Sequence, residues 1–184
     1  MLTLFFLTNT AFDFFITVLL IRILMQVSKC DSYNPISQSI IKITQPILKP
    51  LYKILPFVKT IDIAALSLVY FLSTMKLPVL RSIITGIFYM TPTSLLVGVL
   101  ALFKSTGSII FWVIIIRSLL SWINQGYNPL DFTLHQMSEI IIGPIRKLLP
   151  NTGIIDFSPM IVIFILYTLN YLCLDLFSKF WYYL

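Results

Sequence analysis

Long apolar runs constrain this 184-residue chain more than any other feature. Four of them, Leu2–Met25, Ile83–Phe103, Ser105–Ile123 and Phe157–Leu174, meet or approach bilayer length. A hydrocarbon core about 30 Å thick needs roughly 20 residues of helix, and in lipid each segment must satisfy its own backbone polar groups. A fifth run, Ile63–Met75, is shorter and spans only if Lys76 snorkels and the helix continues toward Leu80. None of the runs alternates polar with apolar residues as a membrane barrel would. The expectation is therefore an all-α, multi-pass membrane helical bundle with about five transmembrane helices, four being the alternative.

Composition supports this reading, with 58% hydrophobic and 11% charged residues against about a quarter charged in soluble domains. The formal net charge is +6, but the thirteen Lys and Arg residues are scattered between the apolar runs. That pattern suits cytoplasmic anchoring, and no nucleic-acid partner is expected. Trp112, Trp122, Trp181, Tyr182 and Tyr183 lie near run ends, where interfacial rings are expected. The N-terminus lacks a basic leader and a small-residue cleavage site after Asp13, so Leu2–Met25 is read as a retained span.

The runs are separated by two polar islands that repeat one pattern. A shift of 94 residues superposes Tyr33, Asn34, Pro35, Pro50, Lys53, Leu55, Pro56, Ile61 and Asp62 on Tyr127, Asn128, Pro129, Pro144, Lys147, Leu149, Pro150, Ile155 and Asp156. Arg22 and Arg117 precede the islands at nearly the same distance. The chain thus divides into a first repeat at 1–80, an intervening transmembrane helix at 81–104, and a second repeat at 105–184, each repeat being helix, amphipathic hairpin, helix. Pro92, Gly86, Gly98 and Gly107 in and around the intervening run are read as kink or packing residues.

Within the islands, Ile36, Ile40, Ile43 and Ile47, and again Leu130, Leu134, Met137 and Ile141, recur at helical spacing. The opposite faces carry Ser37, Gln38, Lys42 and Gln45, or Asp131, Gln136 and Glu139. Such a helix suits the headgroup layer. Pro50 and Pro144 are expected to end it and open a second short turn, closed by Pro56 and Pro150. Asn34 and Asn128, each before proline, suit the turn leaving the first span.

Asp62 and Asp156 start the next apolar runs, where a carboxylate caps free N–H groups, with Ser158 before Pro159 as an alternative cap in the second copy. Arg22 and Arg117 end the preceding spans, so an ion pair within or across repeats is expected at this face. Terminal charges of this kind more often anchor and cap than transport. Asp13 differs: it sits near the middle of the first span, must face protein or water, and lies on the opposite helix face from Arg22.

His135 has no neighbouring histidine or cysteine, and Cys30 and Cys173 are read as unpaired, so no metal or cofactor site is expected. No nucleophile, base and orienting group can be assembled, which argues against an enzyme.

With its two copies of N-P, P, K-x-L-P and I-D, the sequence resembles the YggT family of small integral membrane proteins. "GPIRKLLPNTGIIDFSP" is the closest stretch and "QPILKPLYKILPFVKTIDIA" its weaker partner. Copy two carries Arg146, Lys147, Ser158 and Pro159 where copy one has Tyr52, Lys53, Ala64 and Ala65. The resemblance implies a bacterial inner-membrane protein of a family tied to osmotic and ion homeostasis, cell division and biogenesis of photosynthetic membranes.

Five spans would put the islands on opposite sides, as inverted repeats of secondary transporters. Four would put them on one side. Lys and Arg residues outside the spans divide seven against four either way, with copy one's island on the cytoplasmic side. The expected function is a scaffold or assembly factor working in the bilayer with other membrane proteins or as a homo-oligomer. The alternative is a small cation channel or transporter subunit, suggested by the repeat, Asp13, Asn170 and the Pro92 break.

Overall fold

The computed structural model describes residues 1–53, 55, 62–123, 128–149 and 156–182. These fold into six helices with no strand among them: α1 (Leu2–Val27), α2 (Pro35–Leu51), α3 (Ile63–Thr85), α4 (Thr93–Ile123), α5 (Pro129–Leu148) and α6 (Ser158–Tyr182). Helices α1, α3, α4 and α6 are each long and apolar enough to cross a bilayer, which makes this a multi-pass membrane protein with four candidate spans.

The intervening helix expected at 81–104 is absent as a separate span, because its neighbours absorb it. Ile83–Thr85 complete α3, and Gly86 ends it at φ 73°, its N–H donating to the Ser82 carbonyl at 2.9 Å. That left-handed backbone favours glycine. Thr93–Phe103 then runs without a break into the next apolar stretch, giving one α4 of 31 residues. Lys104, which divides the two runs in sequence, is a good helix former, and its Nζ donates to the Trp181 carbonyl at 2.8 Å. The short Ile63 run reaches spanning length because α3 continues through Lys76, whose Nζ meets Asp13 Oδ1 at 2.5 Å.

Two crossings per repeat bring α1 and α4 to the same end of the bundle, where α2 and α5 lie. Helix α3 packs against both α1 and α4, while α6 rests mainly on α4 and α5. Lipid tails are as apolar as leucine, so these contacts hold through packing more than through escape from water. One core cluster joins Leu19, Leu48 and Val69 of the first repeat; a matching one joins Ile114, Ile142 and Val162 of the second. Met25, Val113, Leu134 and Met137 form a third cluster between the repeats. The α3–α4 crossing is close because Gly98 has no side chain: a Cβ there would lie 2.1 Å from Thr74 Oγ1.

Trp181, expected as an interfacial ring, is instead buried. The backbone turns at Ser178 (φ 28°), which folds the indole back so that its Nε1 donates to Asn170 Oδ1 at 3.0 Å and Lys104 lies 5.7 Å over the ring. Trp112 is exposed, whereas the side chains of Trp122, Tyr182 and Tyr183 lie outside the described residues.

Candidate functional site at the island face

Each island helix starts on an Asn-Pro step. Asn34 Oδ1 accepts the Ile36 N–H at 3.0 Å, and Asn128 Oδ1 accepts the Leu130 N–H at 2.9 Å. Pro35 and Pro129 occupy the first helical position, where a missing N–H costs nothing. The asparagines therefore launch the surface helices and do not merely close the preceding turn. In copy one the turn itself is made by Lys29 at φ 51°, with the Cys30 N–H donating to the Met25 carbonyl at 2.9 Å; the matching turn of copy two lies outside the described residues.

The later prolines do not break these helices. Pro46 and Pro50 lie inside α2, and Pro144 lies inside α5, in place of the expected second turn. A proline forfeits one backbone bond to the residue four before it. Lys42 and Ile140, which supply two of those carbonyls, are exposed, so water or headgroups can take up the lost bond. Pro56 and Pro150, expected to close the hairpins, lie outside the described residues.

The inward face of α2 is rotated from the apolar stripe read in sequence, whereas that of α5 keeps Leu134 and Met137 of its stripe and adds hydroxyl residues beside them. In α2 the buried residues are Ser37, Thr44 and Leu48, and Ile43 is 47% exposed. In α5 they are Thr133, Leu134, Met137, Ser138 and Ile142. Ser37, placed on the outer polar face by its type, is 1% exposed. Gln38, Lys42 and Gln45 do face outward, as do Lys49, Lys53 and Lys147.

Arginine explains the rotation. Arg22 Nη1 donates to Thr44 Oγ1 at 2.5 Å, and Arg117 Nη1 donates to Ser138 Oγ at 3.1 Å. Thr44 and Ser138 match under the 94-residue shift, so each copy turns a hydroxyl inward toward the arginine at the end of its first span. Such a bond stabilises the guanidinium where burial would otherwise cost several kcal/mol, on the order of the penalty for a desolvated ion.

Around the aspartates the two copies diverge. Asp62 is 1% exposed; its Oδ1 accepts the Ala65 N–H at 3.0 Å, and its Oδ2 accepts the Tyr52 hydroxyl and lies 3.8 Å from Arg22 Nε. Arg22 Nη2 also donates to Tyr52 Oη at 3.1 Å. Burial, then the bond to Asp62, pushes the Tyr52 phenol up to about 12. In copy two the position of Tyr52 is held by Arg146, whose Nη2 and Nε meet Asp156 Oδ2 at 2.8 and 3.0 Å and whose Nη1 meets Glu139 at 2.6 Å. Partial burial raises the Asp156 carboxyl, but bonds from Ser158 and Arg146 outweigh it and hold the group below its usual range. Asp156 Oδ1 accepts the Ser158 N–H at 2.9 Å, and Ser158 with Pro159 begins α6.

The expected ion pair thus forms within each repeat but with unequal partners: Arg22 with Asp62, and Arg117 with Glu139 at 3.9 Å. Thr44, Tyr52, Ser138 and Glu139 complete the networks and were absent from the sequence-based site; the 94-residue shift, which pairs Thr44 with Ser138 and Tyr52 with Arg146, carried the signal. His135 is exposed, 3.7 Å from Glu139, and the described residues hold no cluster of three metal-ligating side chains. Asp13 stands apart from this face, paired with Lys76 and accepting from Asn9 Nδ2 at 3.0 Å.

The two islands touch. Asn34 Nδ2 donates to the Pro129 carbonyl at 2.9 Å, and the Asp31 N–H donates to Gln136 Oε1 at 3.2 Å. Cys30 is half-buried at this seam, and burial pushes its thiol up to about 11; Cys30 and Cys173 are both free. A small cavity of about 190 Å³ lies beside it, lined by Arg22, Cys30, Ser37 and Asp62 together with Met25, Ile40 and Ile41.

Known proteins of similar sequence share most of this length. The uncharacterized protein YggT of Escherichia coli (strain K12) is 43% identical over 168 residues, covering 91% of this chain and 87% of its own. An uncharacterized protein of Haemophilus influenzae is 44% identical over 167 residues, covering 89% and 87%, and one of Vibrio alginolyticus is 38% identical over 178 residues, covering 96% of each. No solved structure matches the chain. The family described as CCB3/YggT matches residues 1–84 and 96–177, and the chain belongs to that family.

Proposed function

We propose that this protein is a non-enzymatic scaffold or assembly factor of the bacterial inner membrane, with its two islands forming one docking platform at the cytoplasmic face. The observation that carries this reading is the seam: α2 and α5 lie side by side on one end of the bundle, joined by Asn34 to Pro129. Islands on opposite faces would have favoured an inverted-repeat transporter; a shared face makes a continuous surface instead. Exposed Lys42, Lys49, Lys53 and Lys147 give it positive charge, which favours the cytoplasmic side. Exposed Ile43, Phe132 and Ile140 give it apolar contact area.

The buried charges support a structural role for the motif. Arg22 and Asp62 face each other and Tyr52, so they position α2 against α1 and α3 and leave the outer surface to make contacts. The test is photocrosslinking in intact cells from Lys42 and His135, with Phe164 on the lipid-exposed face of α6 as comparison. Defined protein adducts from the two island positions are expected. Adducts from Phe164 alone would sink the platform.

A further inference from the structure

At the end of the bundle opposite the islands, α1, α3 and the start of α4 enclose a cavity of about 650 Å³ that no part of the island platform uses. Its polar lining is Asn9, Asp13, Lys76, Arg81, Thr91, Thr93 and Ser94, with apolar walls that include Leu80, Val97 and Phe180. Asp13 is already neutralised by Lys76. Arg81 is exposed and has no carboxylate partner among the described residues, so the cavity keeps one uncompensated positive charge. Beside it, the Thr91 hydroxyl meets those of Thr93 and Ser94 at 2.7 and 3.0 Å, two bonds that leave one of the three hydroxyl protons to donate elsewhere near the rim.

Depth points to the ligand. Arg81 lies nineteen residues along α3 from Asp62, about 28 Å at 1.5 Å per residue, which matches a hydrocarbon core of about 30 Å. The guanidinium therefore stands at headgroup level in the leaflet opposite the islands, with Lys76 about one and a half helical turns deeper. An arginine fork and a hydroxyl donor suit phosphate oxygens, and basic pockets between membrane helices recognise phospholipid headgroups. The apolar walls suit glycerol and acyl carbons.

We propose that this cavity binds the phosphate group of an anionic phospholipid, with Arg81 as its principal contact and Leu80, Val97 and Phe180 along the lipid's apolar part. The proposal does not depend on the island platform. Purified full-length protein in neutral detergent is titrated with short-chain phosphatidylglycerol, short-chain phosphatidylcholine or inorganic phosphate, and its thermal stabilisation is followed to saturation. Phosphatidylglycerol is expected to saturate, with the half-saturating concentration rising about tenfold in Arg81→Gln, the scale of one charge-assisted contact. Arg81→Lys is expected to fall between, since it keeps charge but not the fork. If inorganic phosphate shows the same dependence on Arg81, the phosphate group is confirmed and its source is a free anion. Equal titrations of wild type and Arg81→Gln, or equal response to phosphatidylcholine, would overturn the proposal. Should Arg81→Gln not fold, Thr93→Val provides the same comparison at the rim, with a smaller weakening expected and none counting against the site.

Discussion

Arg22 and Arg117 occupy matching places in the two copies yet carry different loads. Asp62 is almost fully buried, and Arg22 is its facing cation. Removing Arg22 leaves an uncompensated carboxylate in the packed region, a loss of about 3–5 kcal/mol. Asp156 is held by Arg146, so removing Arg117 leaves that pair intact and costs about 1.5 kcal/mol, the scale of a charged hydrogen bond to Ser138. Thermal unfolding in detergent should therefore rank Arg22→Ala well below Arg117→Ala in stability. Equal losses would show that Tyr52 alone can keep Asp62 satisfied. The paired positions were legible in the repeat, but this inequality was not. It follows from Tyr52 standing where Arg146 stands, and in sequence a tyrosine there reads as a departure from pattern, not as a hydroxyl bridge between a cation and a buried anion.

At the scale of helices, apolar runs and Asn-Pro starts were readable because they depend on local composition and backbone chemistry. The rotation of α2 was not readable: a threonine buries itself only because an arginine from another helix is waiting. The number of spans was obscured for the same reason, since Lys76 and Lys104 look like interruptions until Asp13 and the Trp181 carbonyl come into view. Gly98 allows a test of the α3–α4 crossing. Gly98→Val must push against Thr74 and should cost about 1–3 kcal/mol by overpacking, with Thr74→Ala recovering part of the loss in a double-mutant cycle. Gly107→Ala, with nothing within 4 Å of the new Cβ, should be neutral or slightly stabilising. Similar losses at the two glycines would argue against the close crossing.

For the whole molecule, the decisive property is that both islands share an end. Lys42→Cys and Lys147→Cys, each made with Cys30 and Cys173 replaced by serine, should react with a membrane-impermeant maleimide from the same side of sealed vesicles. Labelling from opposite sides would reject the four-span arrangement. The same-side geometry also bears on how the halves relate. Two crossings return each copy to the side it came from, so residues 87–92 connect two helical hairpins that already share an orientation. The covalent join is not what orients them. In architectural terms the bundle is a dimer of hairpins made continuous by one short loop, and the packing of Gly98 on Thr74, more than that loop, is what makes it a single body.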